Sequence, residues 1–288
     1  MKEKIFPLQP IVLYDQVERP IDWSREFHAP APLDVEIGFG NGEFLVRTAK
    51  ENPGRHFVGI EQHWERTYKT LGRIAREDIA NVRVLLVDAA LAFERLFSPL
   101  TIDNIYCLFP CPWPKKRHVS HRLFSREFLR LLNSRLVKKG QLKIVTDFLP
   151  YRDWILEQIE RTGFSKETKE IQPQYGTKFE RKWLEEGQKE FYQLRLIKER
   201  HIRVPLKEDV QLRTYSLDNF NAQNFTMEDD RDGEEKVIFK EFLYDGKREK
   251  AMVYLVVAEK DLTQHLWVAI AHGSDRWYVC PAEGNRFI

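Results

Sequence analysis

The chain has 288 residues, of which 42% are hydrophobic and 31% are charged, and a formal net charge of +2. This length supplies enough apolar side chains for one large domain or two ordinary ones without a metal or disulfide cross-link. The three cysteines follow no disulfide pattern, and no apolar run approaches the roughly 20 residues of a membrane span. The sequence therefore predicts a cytoplasmic protein without a membrane segment.

Apolar runs of strand length alternate with amphipathic stretches through the first part of the chain. Buried strands are predicted at Leu33–Gly38, His56–Glu61, Val82–Val87, Ile102–Phe109, Gln141–Asp147 and Lys189–Lys198. Helices are predicted at Glu43–Asn52, Trp64–Arg76, Ala89–Phe97, Ser125–Leu136 and Tyr151–Thr162, with Lys138-Lys139-Gly140 closing the fourth. This alternation is typical of βαβ units and predicts an α/β fold with a mainly parallel sheet.

The pattern changes after about Arg200 to strands without intervening helices. These strands are predicted at Val210–Tyr215, Val237–Tyr244, Ala251–Glu259, Leu266–His272 and Trp277–Cys280. Asp245-Gly246 predicts a hairpin turn, and Asp218–Glu235 predicts a polar loop. We therefore expect one domain at 1–200 and a β-rich domain at 201–288, which we predict to stabilise the first.

Charge is unevenly distributed between these two parts. Residues 1–200 contain 34 Lys and Arg against 28 Asp and Glu, whereas residues 201–288 contain 12 against 16. Phosphates of a nucleic acid are contacted mainly by Lys and Arg. Any nucleic acid partner is therefore expected to bind the first part.

The first predicted strand runs into a glycine-rich turn, EIGFGNGE, that precedes a helix. Glycines at Gly38 and Gly40 let the backbone turn sharply and let a ligand lie against it. Glu36 and Glu43 place two carboxylates around the turn, which disfavours a pyrophosphate and favours a cationic ligand. S-adenosylmethionine, with its sulfonium and amino groups, fits this pattern.

Two further carboxylates follow the next two strands. Glu61 ends the second strand, where it can accept hydrogen bonds from ribose hydroxyls, and Asp88 follows the third, where it can accept from an adenine amino group. Each acid taken alone is more simply a helix N-cap or a solvated strand end. Together with the glycine turn, they predict a nucleoside site at the carboxyl ends of the strands.

The segment Phe109–His118, FPCPWPKKRH, puts a rigid corner directly before four basic side chains. Because it follows a predicted strand, it is expected at the ligand-binding end of the sheet. His121, Arg122 and Arg126 extend the same predicted phosphate-facing surface. The simpler alternative for all of these residues is solvated surface charge.

With these motifs, the chain resembles the tRNA (guanine-N7)-methyltransferase family over about Leu33 to Lys198. The resemblance rests on EIGFGNGEFLV, FVGIE, NVRVLLVDA, FPCPWPKKRH, Thr146-Asp147 and Thr177 to Glu180. It implies a Rossmann-like class I S-adenosylmethionine-dependent methyltransferase domain at 1–200, followed by a β-rich appendage at 201–288 like the extension of some thermophile members. The implied reaction is methylation of N7 of a guanosine in the tRNA variable loop.

The resemblance also implies roles for individual residues. The cofactor-binding residues are Glu36, Gly38, Gly40, Glu61, Asp88 and Cys111. The residues that contact tRNA are Lys115, Asp147, Thr177, Lys178, Phe179 and Glu180. Thr177 and Glu180 also fit a simple capping box at the start of a helix that runs to Glu186.

One position departs from the family pattern. Cys111 replaces an aspartate that the resemblance makes catalytic, so Cys111 becomes the candidate catalytic residue. Guanine N7 carries a lone pair and no proton, so methyl transfer requires positioning and charge rather than a general base. Neighbouring basic side chains would favour a thiolate at Cys111. Two alternatives remain open: an RNA-binding protein with weak or no turnover, and a methyltransferase for a small acidic metabolite.

The sequence predicts no metal site, because Cys107, Cys111, His118 and His121 match no usual ligand spacing. Whether the chain forms a homo-oligomer is left open by the sequence.

Overall fold

The computed structural model describes residues 8–187, 190–209, 213–227, 235–259 and 262–282. By its internal contacts the chain separates into two units, Met1–Lys207 and Glu208–Ile288. The division lies seven residues after the predicted domain boundary at 200 and 201. Residues 201–207 thus belong with the first unit.

A seven-stranded sheet forms the centre of the first unit. Its strands are β1 (Leu33–Ile37), β2 (His56–Glu61), β3 (Val82–Leu86), β4 (Ile102–Leu108), β5 (Leu136–Thr146), β6 (Phe164–Ile171) and β7 (Phe191–Lys198), in the order β3-β2-β1-β4-β5-β7-β6. The first five strands pair in parallel, and β7 pairs antiparallel with both β5 and β6. The predicted α/β fold with a mainly parallel sheet is confirmed.

Strand β6 was not predicted from the sequence. Six of its eight side chains are exposed, and only Ile171 at its end is buried. It lies at the edge of the sheet, where few apolar side chains are needed. Its sequence, FSKETKEI, therefore lacks the apolar pattern by which the other strands are found.

The helices of the first unit connect and cover these strands. They are α1 (Trp23–Glu26), α2 (Glu43–Glu51), α3 (Trp64–Glu77), α4 (Ala89–Arg95), α5 (Arg126–Arg135), α6 (Leu149–Gln158) and α7 (Lys178–Glu185), with a 3₁₀ helix at Lys116–His121. Helices α2 and α3 pack Leu45, Leu71 and Ile74 against Phe57 and Val84 of the sheet. This core holds the turn between β1 and α2 in a defined position.

The predicted closure of α5 by Lys138-Lys139-Gly140 is wrong. The helix ends at Arg135 and the chain enters β5 at once, with Leu136 paired to Ile102 and Gln141 paired to Asn104. Residues 137–140 therefore form a bulge opposite Asp103. Gly140 avoids crowding here, because a Cβ would lie 3.0 Å from the carbonyl oxygens of Asp103 and Val137.

Buried polar side chains hold residues 200–207 against the first unit. Arg135 is fully buried and donates from Nη1 to the Val204 carbonyl at 2.9 Å, while Asn133 accepts at Oδ1 from the Ile202 amide at 2.8 Å. Burial lowers the pKa of Arg135 to about 10. The buried guanidinium of Arg135 and the buried amide of Asn133 thus have hydrogen-bond partners in residues 202–204. This segment therefore completes the first unit.

The second unit contains a five-stranded antiparallel sheet. Its strands are β8 (Tyr215–Leu217), β9 (Glu235–Asp245), β10 (Lys250–Glu259), β11 (Leu262–His272) and β12 (Trp277–Pro281), in the order β8-β12-β11-β10-β9. The predicted hairpin is present, but its loop spans residues 246–249, with Asp245 Oδ1 accepting from the Lys247 amide at 2.9 Å. An extra β-rich sheet at the carboxyl end, as predicted, is confirmed.

Some predictions in this unit fall outside the described residues. These are residues 210–212 of the strand predicted at Val210–Tyr215 and residues 228–234 of the loop predicted at Asp218–Glu235. Before residues 228–234, the loop contains a 3₁₀ helix at Ala222–Asn224. In the part of the chain that the structure describes, no helix has the length and apolar character needed to cross a membrane.

Candidate functional site

The turn between β1 and α2 depends on three glycines with left-handed backbone conformations. Gly38, Gly40 and Gly42 have φ of +70°, +56° and +71°. A Cβ on Gly42 would lie 2.4 Å from the side chain of Thr70, whereas a Cβ on Gly38 or Gly40 would meet nothing within 4 Å. Gly42 is therefore required for packing against Thr70. At Gly38 and Gly40 the backbone borders open space, so a ligand can lie directly against it.

A cavity opens at this turn, at the carboxyl ends of β1 and β4. It is lined by Glu36, Gly38, Phe39, Gly40, Asn41, Glu43, Phe44, Arg66, Leu108, Thr177, Lys178 and Phe179. The structure thus brings the glycine turn together with residues that lie more than 130 positions further along the chain. Of the predicted site residues, Glu36, Gly38, Gly40 and Thr177 to Phe179 meet here.

Glu36 is the buried acid of this cavity. Its side chain is 3% exposed, and Oε2 has no hydrogen-bond partner among the described residues. Burial raises its pKa to about 8, and the neighbouring Glu61 charge adds to the rise, whereas Arg47 and the Leu45 amide oppose it. A buried carboxylate without a partner costs free energy, so this site favours a ligand that brings positive charge or a hydrogen-bond donor.

Glu61, at the end of β2, organises the glycine turn. Its Oε2 accepts from the Gly40 amide at 3.1 Å and lies 3.5 Å from Nη1 of Arg66, while Oε1 accepts from the Gln62 amide at 3.0 Å. The carboxylate therefore ties β2 to the turn and holds Arg66 near the cavity. Its predicted contact with ribose hydroxyls stays a prediction.

Asp88 is the N-cap of α4, as the simpler alternative from the sequence proposed. Its Oδ1 accepts from the amides of Ala90 and Leu91 at 2.7 and 3.1 Å, and Oδ2 accepts from Gln62 Nε2 at 2.5 Å. The cap leaves the carboxylate at the carboxyl end of β3, on the same edge of the sheet as Glu36 and Glu61.

The segment Thr177 to Glu180 begins α7 and differs in part from both interpretations of the sequence. Thr177 is the N-cap, with Oγ1 accepting from the Glu180 amide at 3.2 Å. Glu180 does not return a hydrogen bond to Thr177. Its carboxylate is 2% exposed and accepts from the amides of Gln174 and Tyr175 at 2.8 and 3.1 Å, and from that of Gly176. Glu180 thus shapes the preceding loop, while Phe179 is 39% exposed at the cavity.

The loop after β4 combines backbone turns with exposed basic side chains. Phe109 and Trp113 have φ of +56° and +44°. Cys111 is exposed, as are Lys115, Lys116 and Arg117. None of these residues is among the described residues that line the cavity, so the loop forms a separate, solvent-facing part of the site.

Arg122 was predicted to face phosphates, and this prediction is wrong. Its side chain is 9% exposed and donates from Nε to the Pro112 carbonyl at 3.0 Å. Its guanidinium also lies over the rings of Tyr151 and Trp154, at 5.4 and 5.2 Å from their centroids. Arg122 therefore supports the loop from beneath. The sequence does not distinguish buried Arg122 from its exposed neighbours, because the whole segment is rich in basic residues.

Asp147 follows β5 and is half-buried. Burial raises its pKa, an effect that its own backbone amide opposes. Thr146 turns the chain here, with Oγ1 accepting from the Phe148 amide at 3.2 Å. Within the described ranges, no cluster of three His, Cys, Asp or Glu side chains is placed to hold a metal ion.

Three residues near the cavity were missed in the sequence. Phe44 and Arg66 line it, and Arg47 donates from Nη2 to the Tyr175 carbonyl at 2.6 Å. Arg47 follows Glu43 by four residues, which places both on one face of α2. This spacing is visible in the sequence and indicates that Glu43 and Arg47 share a helix face. It does not indicate which distant segment of the chain they contact.

Comparisons with known proteins agree with this geometry. The model of a family described as "Putative methyltransferase" matches residues 30–193. The tRNA (guanine-N(7)-)-methyltransferase of Chlorobium phaeobacteroides is 46% identical over 170 residues, which are 59% of this chain and 83% of the relative. The enzyme of that name from Aquifex aeolicus is 31% identical over 280 residues, covering 93% of this chain and 90% of the relative.

Other matches are shorter or more distant. The tRNA (guanine-N(7)-)-methyltransferase of Thermotoga maritima is 37% identical over 179 residues, and the match covers 60% of this chain and 56% of that relative. Among solved structures, the 16S rRNA methyltransferase KamB aligns with a TM-score of 0.51 at 15% identity, over 66% of this chain and 99% of KamB. That similarity establishes the fold alone.

The fold, with its glycine turn at the carboxyl end of β1, is that of a class I S-adenosylmethionine-dependent methyltransferase. Within that class, the identity and coverage of the relatives decide the family. The chain belongs to the tRNA (guanine-N(7)-)-methyltransferase family.

Proposed function

We propose that this protein transfers the methyl group of S-adenosylmethionine to N7 of a guanine in tRNA, in the variable loop. The observation that carries the proposal is the buried Glu36 carboxylate at the glycine turn, whose Oε2 has no partner among the described residues. A cationic ligand in the cavity would satisfy it. Membership of the tRNA (guanine-N(7)-)-methyltransferase family supports the rest of the assignment.

The residues of the cavity fit S-adenosylmethionine. Bound there, it supplies a methyl group on a positively charged sulfonium. Glu36 would hold its positive charge, and the open space at Gly38 and Gly40 admits a ligand against the backbone. We further propose that Asp88, which accepts three hydrogen bonds, binds the adenine amino group with its remaining acceptor capacity. Glu61 already accepts four hydrogen bonds, so we propose that the ribose hydroxyls replace its 3.5 Å contact with Arg66.

The tRNA is the proposed macromolecular partner. Lys115 and its basic neighbours would contact phosphates, Asp147 would hydrogen-bond the guanine, and Thr177, Lys178 and Phe179 would contact the substrate across the cavity. Glu180 is proposed to act indirectly, because its buried carboxylate is taken up by three backbone amides. The cytoplasm is the proposed location.

The chemistry asked of the protein is positioning and charge. Guanine N7 attacks with a lone pair, so no side chain must remove a proton before the transfer. Orienting the two reactants supplies a large part of such a rate enhancement. An anion near the purine would stabilise the positive charge that the base gains. We propose that Cys111 supplies part of this negative charge or only forms a wall of the pocket.

The alternatives drawn from the sequence are not favoured. A non-catalytic RNA-binding protein and a methyltransferase for a small acidic metabolite each require that the family's activity be lost or replaced. Relatives that carry the name tRNA (guanine-N(7)-)-methyltransferase match both most of the chain and its methyltransferase region.

The deciding experiment is methyl incorporation into bulk tRNA. The purified protein is incubated with radiolabelled S-adenosylmethionine and unmodified tRNA, and the product nucleosides are separated. We expect label in 7-methylguanosine, and much less of it with the Glu36→Ala variant when the cofactor is below saturation. Cofactor binding without labelled tRNA would support the non-catalytic alternative and overturn the proposal.

The role of Cys111 is tested by two variants. Cys111→Ala removes the thiol, and Cys111→Asp restores the family's carboxylate. We expect turnover by the wild type, a modest loss with alanine and a gain with aspartate. If alanine equals the wild type, Cys111 has no chemical role; if only the aspartate variant turns over, the natural chain is not an effective catalyst.

A further inference from the structure

Helix α7 is held in place mainly by polar contacts rather than by an apolar face. The one side chain that it buries fully is Glu180, and its apolar residues Phe179 and Leu184 are 39% and 43% exposed. Trp183 is partly buried and packs against the core cluster that includes Phe44 and Tyr175. A helix of eight residues with so little buried apolar surface is not stable alone, so its position depends on its partners.

The partner is the first turn of α2, next to the glycine turn. Glu43 accepts at Oε2 from the Lys178 amide at 2.5 Å and at Oε1 from Arg181 Nη2 at 2.6 Å. Lys178 is the first residue of α7, so Glu43 satisfies an amide that has no partner within its own helix. Arg47, one turn later in α2, donates to the Tyr175 carbonyl at 2.6 Å. We call these interactions the α2–α7 contact.

The contact joins two parts of the molecule with different ligands. Glu43 and Lys178 both line the cavity proposed for the cofactor. Arg47 also lies near enough to Glu36 to oppose the rise in its pKa. On the other side, the N-cap Thr177 and the first two residues of α7, Lys178 and Phe179, are the residues proposed to contact RNA. A shift of the first turn of α2 would therefore shift the RNA-facing residues.

We propose that Glu43 is a positioning residue that fixes α7 against the cofactor cavity and thereby couples binding of the cofactor to binding of tRNA. The carboxylate is suited to this role because it is 15% exposed and accepts charge-assisted hydrogen bonds, whereas Arg181 is 53% exposed. The sequence suggested that Glu43 attracts the cationic cofactor. In the structure its oxygens accept hydrogen bonds from α7, and Oε1 also lies 3.8 Å from Nη2 of Arg73 in α3.

This inference rests on the proposed function for the identity of the two ligands, but its first test does not require activity. Hydrogen exchange of the amides of residues 178–185 is measured in the free protein. We expect about tenfold faster exchange in Glu43→Ala than in the wild type, because the Lys178 amide loses its acceptor and Arg181 loses its ion pair, while the Thr177 cap remains. Glu186→Ala is the matched control, since Glu186 is the C-cap of α7 and forms an exposed ion pair with Lys182, at 3.6 Å.

The second test measures coupling. The affinity for S-adenosylhomocysteine, which cannot react, is measured with and without saturating tRNA. We expect tRNA to change this affinity several-fold in the wild type and less than twofold in Glu43→Ala, with the KM for tRNA raised about tenfold. Arg181→Ala should reproduce the effect, and the double variant should be no worse than the poorer single variant.

The outcomes separate the two proposals. A wild type that does not methylate tRNA overturns the proposed function, while the exchange measurement still tests the α2–α7 contact. Unchanged exchange in a folded Glu43→Ala, with its melting temperature near that of the wild type, overturns the contact even in an active enzyme. Equal coupling in the wild type and both variants also overturns it.

Discussion

The turn after β1 and the loop after β4 open from neighbouring strands of one sheet, yet they are built in opposite ways. The first turn borders a cavity, and its central acid, Glu36, is 3% exposed and lacks a partner at one oxygen. The second loop, residues 109–115, faces solvent, and its buried partner, Arg122, supports it from below. The turn after β1 therefore buries an acid without a hydrogen-bond partner at one oxygen. The loop after β4 buries only the Arg122 side chain that supports it and leaves its other basic side chains exposed.

This difference matches the two kinds of ligand proposed. A small cation can be enclosed, and an enclosed carboxylate interacts with it strongly because water does not screen the pair. A polyanion such as tRNA cannot be enclosed, so it is met by exposed Lys and Arg whose contribution depends on salt. We therefore expect substitutions at the turn to change cofactor affinity and substitutions in the loop to change tRNA binding.

The largest effect is expected from Glu36→Ala. Glu36 is protonated near neutral pH without ligand and would ionise against the ligand's positive charge. Its loss should weaken S-adenosylmethionine binding by about 100-fold, the size expected for a charge-assisted hydrogen bond. Isothermal titration calorimetry measures it, with Glu51→Ala, an exposed acid of α2, as the control. A loss of less than about threefold would show that Glu36 does not hold the ligand's charge.

Arg122→Ala should come next and act through stability. It removes a buried guanidinium that bonds the Pro112 carbonyl and lies over Tyr151 and Trp154, so we expect a loss of about 2 kcal/mol in the free energy of unfolding. Arg117→Ala, an exposed residue of the same basic run, should be neutral. Urea denaturation compares them. Equal effects of the two variants would contradict the supporting role of Arg122.

The buried acid should also make the turn sensitive to pH. Because the pKa of Glu36 is raised to about 8 in the folded protein, the folded state holds a proton that the unfolded state has released between about pH 4.5 and 8. Its contribution to stability is thus complete below that window and is lost as the pH rises through it, at up to about 1.4 kcal/mol per pH unit.

Glu36→Gln carries no titrating group and should remove this part of the pH dependence. Denaturant titrations of both proteins at several pH values measure the difference. Parallel curves for wild type and variant between pH 5 and pH 8 would show that the acid is not protonated in the cavity.

The smallest effect is expected in the basic loop. Lys115→Ala should weaken tRNA binding a few-fold and lower the slope of log affinity against log salt by about one, as for one lost phosphate contact. Cofactor affinity should not change. Filter binding at several salt concentrations tests this, with Lys50→Ala on α2 as a control. An unchanged slope would place Lys115 outside the tRNA contact surface.

Much of the first unit followed from local sequence patterns. The five parallel strands and the helices between them were predicted because buried strands and amphipathic helices each have a characteristic apolar period. Strand β6 was missed because its side chains are exposed, and the α5–β5 connection was wrong because the Lys-Gly pair resembles a helix end. In both cases the pairing partner, and not the local sequence, decided the conformation.

The site residues also divide into those that local sequence predicted and those that depend on distant contacts. Glu36, Gly38 and Gly40 were found because glycine spacing and strand ends are local features, and the structure puts them at one cavity. Arg122 was misassigned because burial of one Arg within a basic run depends on the distant rings of Tyr151 and Trp154.

The alternating α/β elements, the glycine turn and the acids at the strand ends could be predicted from local sequence, since each is encoded within about ten neighbouring residues. Contacts in the folded chain were needed to show that Glu43 accepts hydrogen bonds from α7, that Glu180 is turned inward to the loop before it, and that residues 201–207 complete the first unit. These outcomes depend on contacts between segments far apart in the chain. Such contacts are selected by burial and hydrogen-bond satisfaction across the whole fold, which no local pattern records.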